Sequence, residues 1–162
     1  MKIICGVIPC KDRFFLDKAL VIIQKDVAML TDLTLGEDSY YKIVSDLYAG
    51  IKQLMMVYLD NENIIEDRQQ AVVIGKMLNG GDKDYVGYGI LEFWPTSLHI
   101  YQICFVGPYK QSFDILHQAY MEVERQAKLV GAPYLSLCTK DEKAMALRYG
   151  FQETYTMFRR KL

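Results

Sequence analysis

Histidine and paired cysteine are scarce in this sequence. It has only two histidines, and its four cysteines, Cys5, Cys10, Cys104 and Cys138, form no CxxC pair. A zinc site wants paired ligands at short spacing, so no metal centre is expected. All but Cys10 lie in apolar strand-like runs and read as free, buried, reduced thiols. Charge of one sign is also lacking: 19 Lys and Arg against 20 Asp and Glu leave a net charge of −1, with no overall basic field for nucleic acid or an anionic membrane. The local Arg159-Arg160-Lys161 cluster reads as a solvated strand end. No run is long enough to span a membrane. The apolar start is cut off by Pro9 and Lys11-Asp12-Arg13, too soon for a signal peptide and without a small-residue cleavage site. A cytoplasmic location is therefore expected. Repeats, low-complexity tracts and linkers are missing too, and 162 residues read as one domain over 1–162.

What is present is patterned. Residues 3–8 form a β-branched apolar run ended by Pro9, read as a buried first strand. Leu16, Leu20, Ile23, Val27 and Leu30 recur at helical spacing. After the break at Gly36-Glu37-Asp38-Ser39, Tyr40, Val44, Leu47, Ile51, Leu54 and Tyr58 repeat that spacing and predict a second long helix over 40–58, with Met55 and Met56 as core filling. The acidic stretch 60–70 reads as a surface loop, since it lacks the glycine and terminal glutamate of a calcium loop. A strand is predicted over 71–78, with Asn79-Gly80-Gly81-Asp82 as a hairpin turn. Strands over 85–94 and 98–106 then complete an antiparallel meander.

The clearest helical stripe is Phe113, Leu116, Tyr120, Val123, Ala127 and Val130, with Ser112 as N-cap and Gly131 past the C-terminus. A short strand over 134–138 follows, making a βαβ unit whose two strands are expected to be parallel. A short helix over 141–149, closed by Gly150, and a last strand over 151–161 complete the pattern. The order β-α-α-β-β-β-α-β-α-β predicts an α+β domain with a mixed sheet. On the fourth strand, Tyr101, Ile103 and Phe105 alternate with Gln102 and Cys104. Glu92 lies between Leu91 and Phe93 and so faces away from both.

Four short motifs stand in a telling order. They are Val106-Gly107-Pro108-Tyr109-Lys110 at a strand exit, Gly131-Ala132 at a helix end, Arg148-Tyr149-Gly150-Phe151, and the ending Met157 to Leu162. Together they resemble the acyl-CoA-binding half of the GNAT family of N-acetyltransferases, from Leu98 to the C-terminus. The N-terminal half agrees in element order. The resemblance implies a GNAT-like (acyl-CoA N-acyltransferase) α+β fold, a mixed, mostly antiparallel sheet flanked by helices. It also implies acetyl-CoA as cofactor and transfer of an acetyl group to an amine of a small molecule or protein.

By the same resemblance, backbone amides at a helix N-terminus would hold the cofactor's pyrophosphate. The matching stretch is Lys110, Gln111, Ser112 and Phe113, followed by Asp114. It has none of the family's glycines, and Asp114 puts a carboxylate in the first turn. The backbone of Cys104, Phe105 and Val106 would pair with the pantetheine arm like an added strand. Glu92 or His99 would serve as general base through water. The family's acidic tyrosine falls at Ala146 here, and Tyr149 is the tyrosine nearby. These departures keep an alternative open, a catalytically degenerate GNAT-fold binding or structural protein. Such chains are similar to short ones encoded by bacteriophages, some virion-associated. A homo-oligomer or virion assembly would then be the partner, in host cytoplasm or virion.

Overall fold

The computed structural model describes residues 1–24, 37–137 and 148–151. Its elements are β1 (Ile3–Val7), α1 (Arg13–Ile23), α2 (Glu37–Tyr48), β2 (Lys52–Leu59), α3 (Gln69–Gly80), β3 (Tyr85–Phe93), β4 (Ser97–Phe105), α4 (Phe113–Leu129) and β5 (Tyr134–Leu137). The strands form a five-stranded sheet in the order β1-β2-β3-β4-β5. The first three pairings are antiparallel and β4–β5 is parallel, so the sheet is mixed. The expected α+β class and βαβ unit are observed. Val27, Leu30, Cys138, Ala146, most of the 141–149 helix and nearly all of the closing strand lie outside the described residues.

Two expected elements are corrected. The helix predicted over 40–58 ends at Tyr48, and residues 52–59 form β2. Gly50, at φ +74°, supplies the left-handed turn that stops the helix. Leu54, Met55, Met56, Val57 and Tyr58 are all buried, because helices cover both faces of the sheet at β2. A strand buried on both sides loses its alternation, and its apolar run then mimics a helical one.

The strand predicted over 71–78 is α3 instead. Val73 and Met77, four residues apart, are its buried face. The helix lies directly on β1: a Cβ added at Gly6 would come within 2.8 Å of Val73 Cβ. Gly81, at φ +59°, breaks the helix rather than forming a hairpin. The meander is therefore β2-β3-β4, and the observed order is β-α-α-β-α-β-β-α-β.

Two cores flank the sheet. One face packs against α1, α2 and α3 through Leu16, Ile23, Ile43, Leu47, Val73 and Met77. The other packs against α4 through Ile115, Ala119, Tyr120, Val123 and Ala127. The stripe expected on α4 is thus rotated at its ends, since Phe113 and Val130 are exposed. Its cap is as expected: Ser112 Oγ accepts from the Ile115 amide at 3.3 Å, and Gly131 adopts φ +71°.

Strand β4 carries a β-bulge. Ile90 pairs with Gln102 and Leu91 with Ile100, so Tyr101 has no place opposite β3. Leu98, Ile100, Ile103 and Phe105 face the α4 core, while Tyr101 and Cys104 pack toward the other. The expected grouping of Tyr101 with Ile103 and Phe105 is corrected by this extra residue.

Strands β3 and β4 approach so closely at Gly87 that an added Cβ would lie 2.1 Å from the Cys104 carbonyl oxygen. Gly87→Ala is expected to destabilise the chain by about 1–3 kcal/mol, through forced strand displacement. Gly75, inside α3, has nothing within 4 Å of its added Cβ. Gly75→Ala should instead stabilise by about 0.4–1 kcal/mol. Thermal unfolding of the two variants beside the parent checks both signs.

Candidate active site

Across the face that carries α1, α2 and α3, one side chain from each of four adjacent strands falls in a row. Lys52 on β2 pairs in register with Glu92 on β3, Glu92 with His99 on β4, and His99 with Ser136 on β5. On β3, Tyr88, Ile90 and Glu92 alternate onto this face, with the first two in its core. The row therefore lies where the apolar core ends.

Lys52 is buried, and it is held on three sides. Its Nζ donates to Asp46 Oδ2 of α2 at 2.7 Å, lies 3.6 Å from Glu92 Oε2, and sits 4.8 Å from the centre of the Tyr101 ring. Asp46 also accepts from Lys42, one turn earlier on α2, at 3.0 Å. The hydrogen bond from Lys52 is the main cause holding the Asp46 carboxyl below its ordinary value, against the opposing effect of burial.

His99 is only 5% exposed. Trp94, in the β3–β4 turn, stacks on its ring at 3.8 Å and 6°. Its Nδ1 lies 3.0 Å from Ser136 Oγ, which in turn lies 2.9 Å from Ser97 Oγ. Burial pushes the imidazole below its ordinary value of 6.5, and Lys52 adds to this, while Glu92 opposes it. A buried imidazole held neutral is in the form that accepts a proton.

The strand exit lies toward the other end of β4, where Phe105 pairs with Gly87, whereas His99 pairs with Glu92 near the strand's start. The Cys104 thiol accepts from Gln102 Nε2 at 2.8 Å, and the Phe105 side chain is buried under α4, so Phe105 offers a ligand only its backbone. Beyond Val106 the chain makes a short 3-10 turn over Gly107–Tyr109. The amides of Tyr109, Lys110 and Ser112 donate back to carbonyls of the same turn. Those of Gln111, Phe113 and Asp114 have no protein partner recorded among the described residues. Lys110, Gln111 and Phe113 are exposed beside them. Asp114 turns its carboxylate along the helix, where Gln118 Nε2 donates to it at 3.1 Å. The Arg148 guanidinium lies 5.4 Å from the centre of the Phe113 ring, a second cation at this helix start. These amides and cations fit the phosphates of a CoA-type cofactor.

Tyr149 is elsewhere. It packs with the α4 core, 4.2 Å from the Tyr120 ring and 5.8 Å from His117, on the opposite face of the sheet from Glu92 and His99. Its hydroxyl is buried without a hydrogen-bond partner among the described residues. Of the catalytic candidates the structure brings Glu92 and His99 together and leaves Tyr149 apart. Lys52, Asp46, Trp94 and Ser136 were missed in the sequence. The available signals were a lysine heading an apolar run and the chain's one tryptophan, placed beside a turn.

Solved acetyltransferases share this architecture over nearly the whole chain. The ribosomal-protein-alanine N-acetyltransferase of Brucella melitensis biovar Abortus 2308 superposes with a TM-score of 0.59 at 9% identity, over 100% of both chains. A predicted acetyltransferase from Clostridium acetobutylicum, solved with acetyl-CoA, gives 0.57 at 12% identity, over 99% of this chain and 96% of that one. An aminoglycoside N-acetyltransferase in complex with CoA gives 0.56 at 14%, over 99% and 95%. No sequence-family model and no curated protein matches the chain. At these identities the likeness defines the fold, and the fold is that of the GNAT acetyltransferases. None of the described helices is long and apolar enough to cross a membrane.

Removing Lys52 would leave the buried Asp46 carboxylate with only the exposed Lys42 as partner. Lys52→Met is expected to cost about 3–5 kcal/mol, and Lys52→Met with Asp46→Leu to regain most of it, as read by denaturant unfolding. His99 gives a second check. The unfolded chain takes up its proton at a higher pH than the folded chain does. Stability should therefore be full above about pH 6.5 and fall as pH drops toward the lower folded value. His99→Gln should flatten that part of the pH–stability curve.

Proposed function

We propose that this chain is an acyl-CoA-dependent N-acetyltransferase acting on an amine of a small molecule or protein. The observation that carries the reading is the pairing of Glu92 with a buried His99 across β3 and β4, on the strand whose exit leads into an open helix N-terminus.

Acetyl-CoA would supply an activated acyl thioester. Lys110, Arg148 and the amides of Gln111 and Phe113 would bind its phosphates at the start of α4. The backbone of Cys104, Phe105 and Val106 would line the pantetheine arm as a neighbouring strand does. Glu92 or His99 would remove the proton of the acceptor amine, directly or through a water. Lys52 would stand beside the Glu92 carboxylate as a fixed cation, 3.6 Å away. With the amine held against the acyl carbon, positioning supplies much of the rate. Tyr149, on the far face, would stand outside this proton path.

The solved proteins with this fold include ones that act on ribosomal-protein alanine and on aminoglycosides, so the fold accommodates both protein and small-molecule acceptors. The alternative is a GNAT-fold binding or structural protein that keeps the scaffold without the chemistry.

Calorimetric titration of acetyl-CoA is the test, with dephospho- and desulfo-CoA as controls. Micromolar binding is expected, weakened about tenfold by Lys110→Ala through the loss of a phosphate contact. Glu92→Gln should lower turnover by about 10²-fold or more with cofactor affinity unchanged. No heat and no thermal shift at millimolar cofactor would overturn the enzyme and leave the binding protein.

A further inference from the structure

Ser136 Oγ takes part in two hydrogen bonds at once, to His99 Nδ1 at 3.0 Å and to Ser97 Oγ at 2.9 Å. A serine hydroxyl donates one proton and accepts up to two, so the ring's two tautomers close this chain in different ways. In the first, Nδ1–H donates to Ser136, which either donates to Ser97 or accepts from it as well. In the second, Ser97 donates to Ser136, Ser136 donates to Nδ1, and the ring proton sits on Nε2. The first leaves the lone pair on Nε2, and the second buries it against Ser136.

We propose that Ser136 and Ser97 are positioning residues that hold His99 in its Nδ1–H tautomer, so that Nε2 is the atom that takes the proton of the acceptor amine. The inference rests on the acetyltransferase reading and assigns roles to two residues that it leaves unused.

Three observations support the assignment. When Nε2 takes a proton, both ring nitrogens carry hydrogen, and Nδ1 must then donate. The first arrangement already satisfies that demand, so neither hydroxyl has to rotate during proton transfer. The second would require the Ser136 hydroxyl to turn away from Nδ1, and an arrangement set in advance avoids that reorganisation.

The ring is also fixed. Trp94 covers one of its faces in parallel at 3.8 Å, and the residue is buried, so orientation is set by packing as well as by Ser136.

The surrounding charges suit a transient imidazolium. Glu92 on β3 stands opposite His99 in register and favours its protonation. Lys52 on β2 disfavours it, but its charge is shared with Asp46 of α2. From β5 the ring meets the neutral Ser136, and from the β3–β4 turn the neutral Trp94. The proton thus moves from the amine nitrogen to Nε2, and the positive charge remains beside Glu92.

Nitrogen-15 NMR of the imidazole tests this directly. The chain has two histidines, so His117→Gln leaves His99 as the only ring observed. Above its titration the spectrum should show the Nδ1–H tautomer. Ser136→Ala should shift the ring toward Nε2–H, and Ser136→Thr, which keeps the hydroxyl, should not. In acetyl-transfer assays Ser136→Ala should lower kcat/KM about 10- to 100-fold and displace the acid limb of its pH profile. The KM for acetyl-CoA should stay unchanged, and Ser136→Thr should restore the rate. An Nε2–H ring in the parent, or a tautomer indifferent to Ser136→Ala, overturns the inference even where acetyl transfer is found. A parent that transfers no acetyl group but shows the Nδ1–H ring and its loss in Ser136→Ala overturns the enzyme reading and leaves hydroxyl control of the ring standing.

Discussion

One extra residue in β4 organises everything else. At the bulge, Tyr101 and Gln102 oppose a stretch of β3 that would otherwise meet a single residue. Side chains alternate strictly along a strand, so an insertion reverses which residues face each core. Without it, Leu98 and Ile100 would share a face with Gln102 and Cys104, and Ile103 and Phe105 would leave the α4 core. With it, four apolar side chains of β4 reach α4, while His99, Tyr101 and Cys104 all face the other way. The bulge thus lets one strand wall an apolar core on one side and carry a polar row on the other.

That polar row is tolerated because its charges are paired where they are buried. Lys52 has Asp46, Glu92 and the Tyr101 ring within reach, and His99 has Ser136 and the Trp94 face. Desolvating a lone ammonium here would cost several kcal/mol; sharing it between two carboxylates offsets that. The consequence for chemistry is electrostatic. Glu92 is partly exposed and beside a fixed cation, whereas His99 is buried and pushed toward its neutral form. A partly exposed carboxylate beside a cation thus stands next to an imidazole that burial disfavours in its charged form.

How much of this could be read in the sequence depends on whether the signal was local. The α4 cap at Ser112, the Gly131 stop, the β3–β4 hairpin and the parallel β5 are written in neighbouring residues, and they appear as expected. Lys52–Leu59 and Gln69–Gly80 were misread because each is decided by what it packs against. The first is covered on both faces and loses its alternation. The second is β-branched at Val72, Val73 and Ile74, yet it lies as a helix over Gly6, which leaves room for it. The site follows the same division. Glu92 and His99 could be placed on one strand face each, by counting. Lys52 and Ser136 join them through sheet register and Asp46 through the seating of α2 on the sheet, which no local pattern encodes.

The glycine-free stretch from Lys110 to Asp114 bears on function in the same physical terms. Glycines in such a loop serve to give positive φ and close backbone approach. Here the positive φ has moved upstream to Gly107, at +52°, and the 3-10 turn that follows uses its own carbonyls to satisfy three amides. The amides of Gln111, Phe113 and Asp114 have no protein partner among the described residues, and an anion reads amides rather than side chains. Asp114 would compete for that position if it curled back over the helix end, but its carboxylate is engaged by Gln118 one turn on. The departure from the family's pattern therefore removes glycines without removing the donors, and Lys110 and Arg148 add charge that the glycines never supplied. Loss of glycines and loss of free amides are separate events: this stretch has no glycine, yet the amides of Gln111, Phe113 and Asp114 have no protein partner among the described residues.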